Sequence, residues 1–248
     1  MSTGFQFKQF FVNHDRCAMK VGTDGVLLGS WCPTPQSKMQ DAKCKILDVG
    51  TGSGLIALML AQRCPEAQID AIDIDAAACT QAAENFASSP WAERLHATPC
   101  SLQDWQMVNG KCENGKLYDL IVSNPPYFVH SLKNPDAARS TARHNDTLPF
   151  GELIETSTQM LAPDGKLAVI VPAEEEQVLQ DLAATNGLHC MLRCYVHPKP
   201  GRPAKRVMIA WSRTPAPEPT ECTGHLTLED EQGGRSEAYQ QLTREFYL

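Results

Sequence analysis

The sequence predicts an α/β fold: a doubly wound, mostly parallel sheet that finishes in an antiparallel hairpin. Three observations predict it. From Lys45 onward, short apolar runs of strand length alternate with segments of helix length, the pattern of repeated strand-helix units. Runs such as Leu120-Ile121-Val122 are continuously apolar rather than alternating, as strands covered on both faces are. Two β-rich runs at 188–196 and 206–212 are joined only by a Pro- and Gly-rich turn. No crossover helix fits between them, so they must pair antiparallel.

Taken in order, the aromatic run around Phe5, Phe7, Phe10, Phe11 and Val12 reads as a short hairpin or lid, with Phe10 and Phe11 expected in the core. Thr23 or Asp24 is placed to cap a helix at 25–31, which Pro33 stops. Strands follow at 46–49 and 68–72, the second closing on Asp73, with a short third at 95–98 and a fourth at Leu120-Ile121-Val122. Helices are expected at 55–63, 76–87, 150–161 and 174–184, Asp75 being the natural cap of the second of these. Pro163-Asp164-Gly165 should end the 150–161 helix before a fifth strand at 166–171. A short strand at 225–228 and a helix at 236–246 complete the chain. One domain spanning 1–248 is expected, with a lid region at 1–44, a core at 45–212 and an extension at 213–248.

Composition narrows the function classes. The start of the chain lacks the features of a secretory leader, and no run of about 18 apolar residues occurs, so a soluble cytoplasmic protein is expected, with no membrane partner. The ten cysteines are scattered without ligand spacing and read as reduced small hydrophobes, not as a metal site. A net charge of −7 argues against binding nucleic acid by bulk charge. Its distribution is more informative, because no acid falls between Asp181 and Glu218 while Arg193, Lys199, Arg202, Lys205, Arg206 and Arg213 do. Such a stripe is either a phosphate-reading face or a solvated hairpin.

Three stretches carry chemistry. Asp48-Val49-Gly50-Thr51-Gly52-Ser53-Gly54 follows the first strand, and its glycines permit a sharp strand-to-helix turn that brings backbone close to a ligand. The spacing G-x-G-x-G departs from the dinucleotide fingerprint. Asp73 ends the second strand and is placed to accept two ribose hydroxyls, the alternative being a helix cap. Asn124-Pro125-Pro126-Tyr127 ends the fourth strand, and its prolines block both helix and further strand. A rigid loop carrying an amide and an aromatic ring at that edge stands where open α/β sheets bind ligands.

These motifs, in this order on these strands, resemble the class I S-adenosylmethionine-dependent methyltransferases; the NPPY tetrapeptide resembles those that methylate an amino nitrogen conjugated to a π system. Within that superfamily the chain is similar to the bacterial tRNA1(Val) adenine(37)-N6 methyltransferases. The likeness rests on KVGTDGVLLGSW at 20–31, DVGTGSGLIALMLAQR at 48–63, SNPPYF at 123–128, ARHNDTLPFGELI at 142–154 and LTREFYL at 242–248. The resemblance implies a Rossmann-like seven-stranded methyltransferase sheet, S-adenosyl-L-methionine as cofactor, and tRNA as partner without a separate recognition domain. The oligomeric state is left open, a monomer being favoured. Lys20, Thr23 and Asp24 would belong to a motif that closes over the cofactor. Asp48, Gly50, Thr51, Gly52 and Gly54 would form the cofactor loop and Asp73 would hold the ribose. Ser101 and Leu102 would meet the adenine, with Ser101 standing where such proteins commonly carry an acid and Asp104 the alternative. The Asn124 oxygen and the Pro125 carbonyl would accept the hydrogens of the target amine, and Tyr127 would stack on the base. Phe128 would wall the pocket, while Arg139, Arg143, Lys199, Arg202, Lys205 and Arg206 would hold flanking phosphates. A protein substrate is the first alternative, since NPPY also serves glutamine methylation in release factors. DNA or other RNA adenine methylation is the next, and a non-catalytic nucleotide-binding protein the last.

Overall fold

The computed structural model describes residues 3–35, 44–109, 117–126, 148–215 and 223–248. Its centre is an eight-stranded sheet. The strands are β3 (Lys45–Val49), β4 (Gln68–Asp73), β5 (Leu95–Pro99), β6 (Tyr118–Ser123), β7 (Leu161–Pro172), β8 (His189–His197), β9 (Arg206–Ser212) and β10 (Thr223–Thr227), in spatial order β10-β8-β9-β7-β6-β3-β4-β5. β5, β4, β3, β6 and β7 are mutually parallel; β9 runs antiparallel between β7 and β8, and β10 adds to β8 in parallel. The expected doubly wound sheet with its terminal hairpin is therefore present, widened by β10 to one strand more than seven. Chain order reverses between β3 and β6, and the crevice outside the carboxyl ends of strands at such a switch is where ligands of open sheets bind.

Side-chain alternation explains why these strands read as unbroken apolar runs. In β6, Leu120 and Val122 enter one core and Tyr118 and Ile121 the other; in β7, Ala168 and Ile170 oppose Leu167, Val169 and Val171. The first face is covered by α1 (Thr23–Trp31), α2 (Leu55–Arg63), α3 (Ala76–Ala87) and α7 (Glu237–Thr243). The second is covered by α4 (Leu102–Asn109), α5 (Phe150–Met160) and α6 (Glu176–Thr185). Among the described residues no helix is long and apolar enough to cross a membrane.

Three features differ from expectation. α4 occupies what reads as loop: Ser101 caps it, its hydroxyl accepting from Asp104 N–H at 3.1 Å, a Ser-x-x-Asp signal that precedes mixed polar residues. The Pro163-Asp164-Gly165 stop becomes a bulge inside β7, because Tyr118 pairs with Leu161 while Leu120 pairs with Lys166. A Cβ at position 165 would stand 2.5 Å from the Tyr118 carbonyl, so only glycine allows this approach. And α1 is capped by neither Thr23 nor Asp24; Gly22 is its N-cap residue, without a side-chain hydrogen bond, because the Asp24 carboxylate is taken by Arg206 at 2.8 Å.

The hairpin of β1 (Gly4–Gln6) and β2 (Phe11–Asn13) forms as expected. Phe7 and Phe10 are buried, whereas Phe11 is exposed, since alternate residues of a strand face opposite ways. The segment after α7 packs here: Tyr247 stacks on Phe7, and the Arg235 guanidinium lies over the Tyr247 ring, 4.4 Å from its centre. Lys8 N–H donates to the Phe246 carbonyl at 2.8 Å. The Lys8 ammonium donates to the Arg244 carbonyl at 2.5 Å.

Candidate active site

A cleft of about 660 Å³ opens at the carboxyl ends of β3, β4 and β6. It is built first from the glycine loop. Gly50, Gly52 and Gly54 all have positive φ, at 71°, 55° and 81°, a region that side chains with a Cβ rarely enter. Gly50 and Thr51 donate their amides to the Ile72 carbonyl at 2.9 and 3.0 Å, stitching the loop to β4. A Cβ at 54 would collide with Phe86, 2.5 Å away, but at 50 and 52 nothing stands within 4 Å. Gly54 thus serves packing, and the other two leave open backbone facing the cleft.

Asp48 lies beneath this loop with no exposed surface. Its Oδ2 accepts from the Thr51 hydroxyl at 2.7 Å and from Ala57 N–H at 3.2 Å, capping α2 from the preceding strand because Gly54 has no side chain to do so. Its Oδ1 has no partner among the described residues. Burial pushes the carboxyl up to about 7, against the pull of the Thr51 and Ala57 bonds and with a small push from the Asp73 charge. Because the folded value exceeds the ordinary 3.8, the stabilising contribution of the protonated form is complete below 3.8 and is lost as pH rises through about 7. Asp48→Asn keeps an acceptor for Thr51 and Ala57 and removes the titration. Thermal melts between pH 5 and 8 should therefore show less loss of stability with rising pH in the variant than in the unaltered protein. Parallel melting curves would show that this carboxyl does not titrate in the window.

Asp73 forms the second wall. Its Oδ2 accepts from Gly52 N–H at 2.9 Å and its Oδ1 from Asp75 N–H at 3.0 Å. Each oxygen retains one acceptor position. Asp75 caps α3, accepting from Ala77 N–H at 2.8 Å, so Asp73 is not the cap. The third wall is Ser123 to Pro126. The Ser123 hydroxyl donates to the Val49 carbonyl at 2.8 Å, tying β6 to β3. Beyond it the Asn124 Oδ1 is buried without any hydrogen-bond partner among the described residues, a state that costs about 1–3 kcal/mol unless a donor arrives.

Gly50, Gly52, Asp73, Ser101, Leu102, Asn124, Pro125 and Pro126 all line this one cleft. Asp48, Thr51 and Gly54 do not; they brace the loop from below. Ser101 lines the cleft and donates its hydroxyl to Asp104 at 2.7 Å, while Asp104 stands outside the lining. The amino-terminal wall is made by Cys17, Ala18 and Met19, not by Lys20, Thr23 and Asp24. Lys20, ahead of α1, and Thr23, its first residue, are exposed, and Asp24 is paired with Arg206. Sequence reasoning missed Cys17, Ala18 and Met19, and Ile74, an aliphatic residue 58% exposed at the mouth. An isoleucine set between Asp73 and Asp75, outside any strand, was the signal available. Tyr127, Phe128, Arg139 and Arg143 lie outside the described residues.

The basic hairpin is at the same edge, since Arg206 pairs with Pro172 at the carboxyl end of β7. Its charge is partly met by acids from elsewhere: Arg193 by Glu176 at 2.7 Å, Lys199 by Glu229 at 3.0 Å, and Arg206 by Asp24. Arg202 and Lys205 are exposed and form no ion pair among the described residues.

The cleft holds and orients rather than attacks. Burial raises the Cys17 thiol to about 11, with the Asp73 and Asp75 charges adding to it, and burial likewise raises Cys100; both stay neutral and poor nucleophiles. No group of residues suited to a metal ion occurs among the described residues.

Residues 35–185 match the family model described as methyltransferase small domain. The chain is 50% identical over 98% of its length to the tRNA1(Val) (adenine(37)-N6)-methyltransferase of Parabacteroides distasonis, covering 97% of that protein. It is 46% identical to the enzyme of the same name from Bacteroides fragilis, over 98% of this chain and 97% of that one. A crystal structure described as a predicted O-methyltransferase from Agrobacterium tumefaciens superposes with a TM-score of 0.61 at 16% identity, over 90% of this chain and 96% of that one. That likeness is one of fold.

Proposed function

Because the chain belongs to the tRNA1(Val) (adenine(37)-N6)-methyltransferase family, we propose that it methylates N6 of an adenine in tRNA, adenine 37 of tRNA1(Val), using S-adenosyl-L-methionine. The observation that carries this reading is the Asn124 oxygen at the wall of the cleft, buried and without a hydrogen-bond partner among the described residues.

The cleft fits the cofactor. Open backbone at Gly50 and Gly52 and the spare acceptor positions of Asp73 suit a nucleoside with two ribose hydroxyls. When bound, the cofactor supplies a methyl group already activated for displacement. Ser101 and Leu102 would flank its adenine, Ser101 as a neutral hydrogen-bonding group where an acid is common.

An exocyclic adenine amine is a poor nucleophile because its lone pair is delocalised into the ring. Asn124 Oδ1 and the Pro125 carbonyl would accept its two hydrogens, favour a pyramidal nitrogen and free the lone pair. Pro125 and Pro126 keep those acceptors in fixed relation, which is where positioning catalysis gains its rate. No strong general base is needed, since the proton can leave after transfer. The base must be unstacked, which a single-stranded loop permits at least cost. Tyr127 and Phe128 would receive it, with Arg139, Arg143, Lys199, Arg202, Lys205 and Arg206 on the flanking phosphates; Arg202 and Lys205 are the best disposed of the hairpin four. Residues 45–212 act as the catalytic core of a single domain.

The test is transfer of labelled methyl from S-adenosylmethionine to unmodified total tRNA or to purified peptide release factor. Label is expected in tRNA alone, recovered as N6-methyladenosine. Label in the protein and not in tRNA would overturn the reading in favour of glutamine methylation.

A further inference from the structure

The strap joining β2 to α1 passes the mouth of the cleft without a strand to pair with, so side chains must satisfy its backbone. α3 supplies them from one face. Gln81 and Asn85 stand four residues apart, one above the other on the helix, and are 0% and 1% exposed. Gln81 Oε1 accepts from Arg16 N–H at 2.9 Å and from the Cys17 thiol at 3.4 Å, while its Nε2 donates to the Asp15 carboxylate at 2.8 Å. Asn85 Oδ1 accepts from Asn13 N–H at 3.0 Å. Its Nδ2 donates both to the Asn13 carbonyl at 2.9 Å and to the Ser53 carbonyl at 2.8 Å.

Ser53 lies between Gly52 and Gly54, so the amide of Asn85 joins the end of β2, from which the strap departs, to the glycine loop, and with Gln81 on the strap itself the pair connects two walls of one cleft. The next strap residues, Cys17, Ala18 and Met19, are the ones that line it. Fully satisfied buried amides fix a single geometry, and losing one partner leaves the other buried and unmet. From this arrangement we propose that Gln81 and Asn85 are positioning residues that set cofactor affinity by holding the Cys17–Met19 wall against the glycine loop; the inference rests on the S-adenosylmethionine reading above.

The experiment measures equilibrium binding of S-adenosylmethionine to Gln81→Met, which keeps length and loses every hydrogen bond. Its Kd should rise about tenfold, kcat at saturating cofactor should stay within about twofold, and amide exchange across residues 13–19 should accelerate. Gln81→Glu should bind as poorly, its charge facing Asp15. Adding Asp15→Asn should return Kd towards the original value, because the donor and acceptor are then exchanged and the bond restored. A Kd unchanged in Gln81→Met, or a lowered melting temperature or kcat without a change in Kd, would overturn the inference alone. Failure of the unaltered protein to bind S-adenosylmethionine would overturn the cofactor reading and the inference with it.

Discussion

Asn124→Ala is expected to abolish methyl transfer to tRNA, a loss in kcat of about 10²–10³-fold or more, while the Kd for S-adenosylmethionine stays within a few-fold. The Oδ1 removed is buried and has no partner among the described residues, so it contributes little to their packing; its value appears when a donor is presented to it. The side chain is held by β6, which is anchored through Ser123 to Val49. The walls at Gly50 and Asp73, where we propose the cofactor sits, are held by bonds that do not involve it. Single-turnover transfer and cofactor binding, measured on the same preparation, separate the two effects. Joint loss of both would show that the loop is structural and that Asn124 holds the cleft together.

The second large effect is expected at Asp73. Asp73→Ala should weaken S-adenosylmethionine binding by about 10²-fold or more, since two charge-assisted acceptors for ribose hydroxyls would go, each worth about 1.5–3 kcal/mol. The same change releases the Gly52 and Asp75 amides that the carboxylate now holds. Asp73→Asn keeps one acceptor and should lose less. Equilibrium binding checks the order of the three proteins. Equal affinity across them would confine Asp73 to bracing the loop.

The parts of the molecule legible in the sequence were those whose physics is local. A continuous apolar run announces a strand covered on both faces, and β6, β7 and β9 fall where such runs stand; β3 and β4, each broken by an Asp, are announced by the strand-helix alternation around them. Glycines that need positive φ, and prolines that end a strand, announce themselves by residue type; Gly50, Gly52, Asn124 and Pro125 line the cleft. What was not legible depends on contacts across the chain. The stripe from Arg193 to Arg213 looks unopposed in sequence, yet Glu176, Glu229 and Asp24 reach three of its members. Asp24, plausible as a cap by type, is claimed by a residue 182 positions away. Asp48 belongs to a motif that suggests ligand contact, and only its enclosure shows that it supports the loop instead. β10 pairs with β8 in parallel, a partnership that five residues of unremarkable sequence do not advertise.

The packing of Phe246 and Tyr247 on the amino-terminal hairpin has a consequence in time. The bond from Lys8 to Arg244 spans 236 residues, so a chain made from its amino end carries Phe7 and Phe10 without these partners until residues 244–247 have emerged. The glycine loop and Asp73 need only neighbouring segments, and the strap that leads from this hairpin is held by α3, whereas the hairpin itself gains its full cover last. In a nascent chain the amino-terminal hairpin thus waits for its carboxyl-terminal cover, while the wall at Cys17–Met19 already has its anchors in α3.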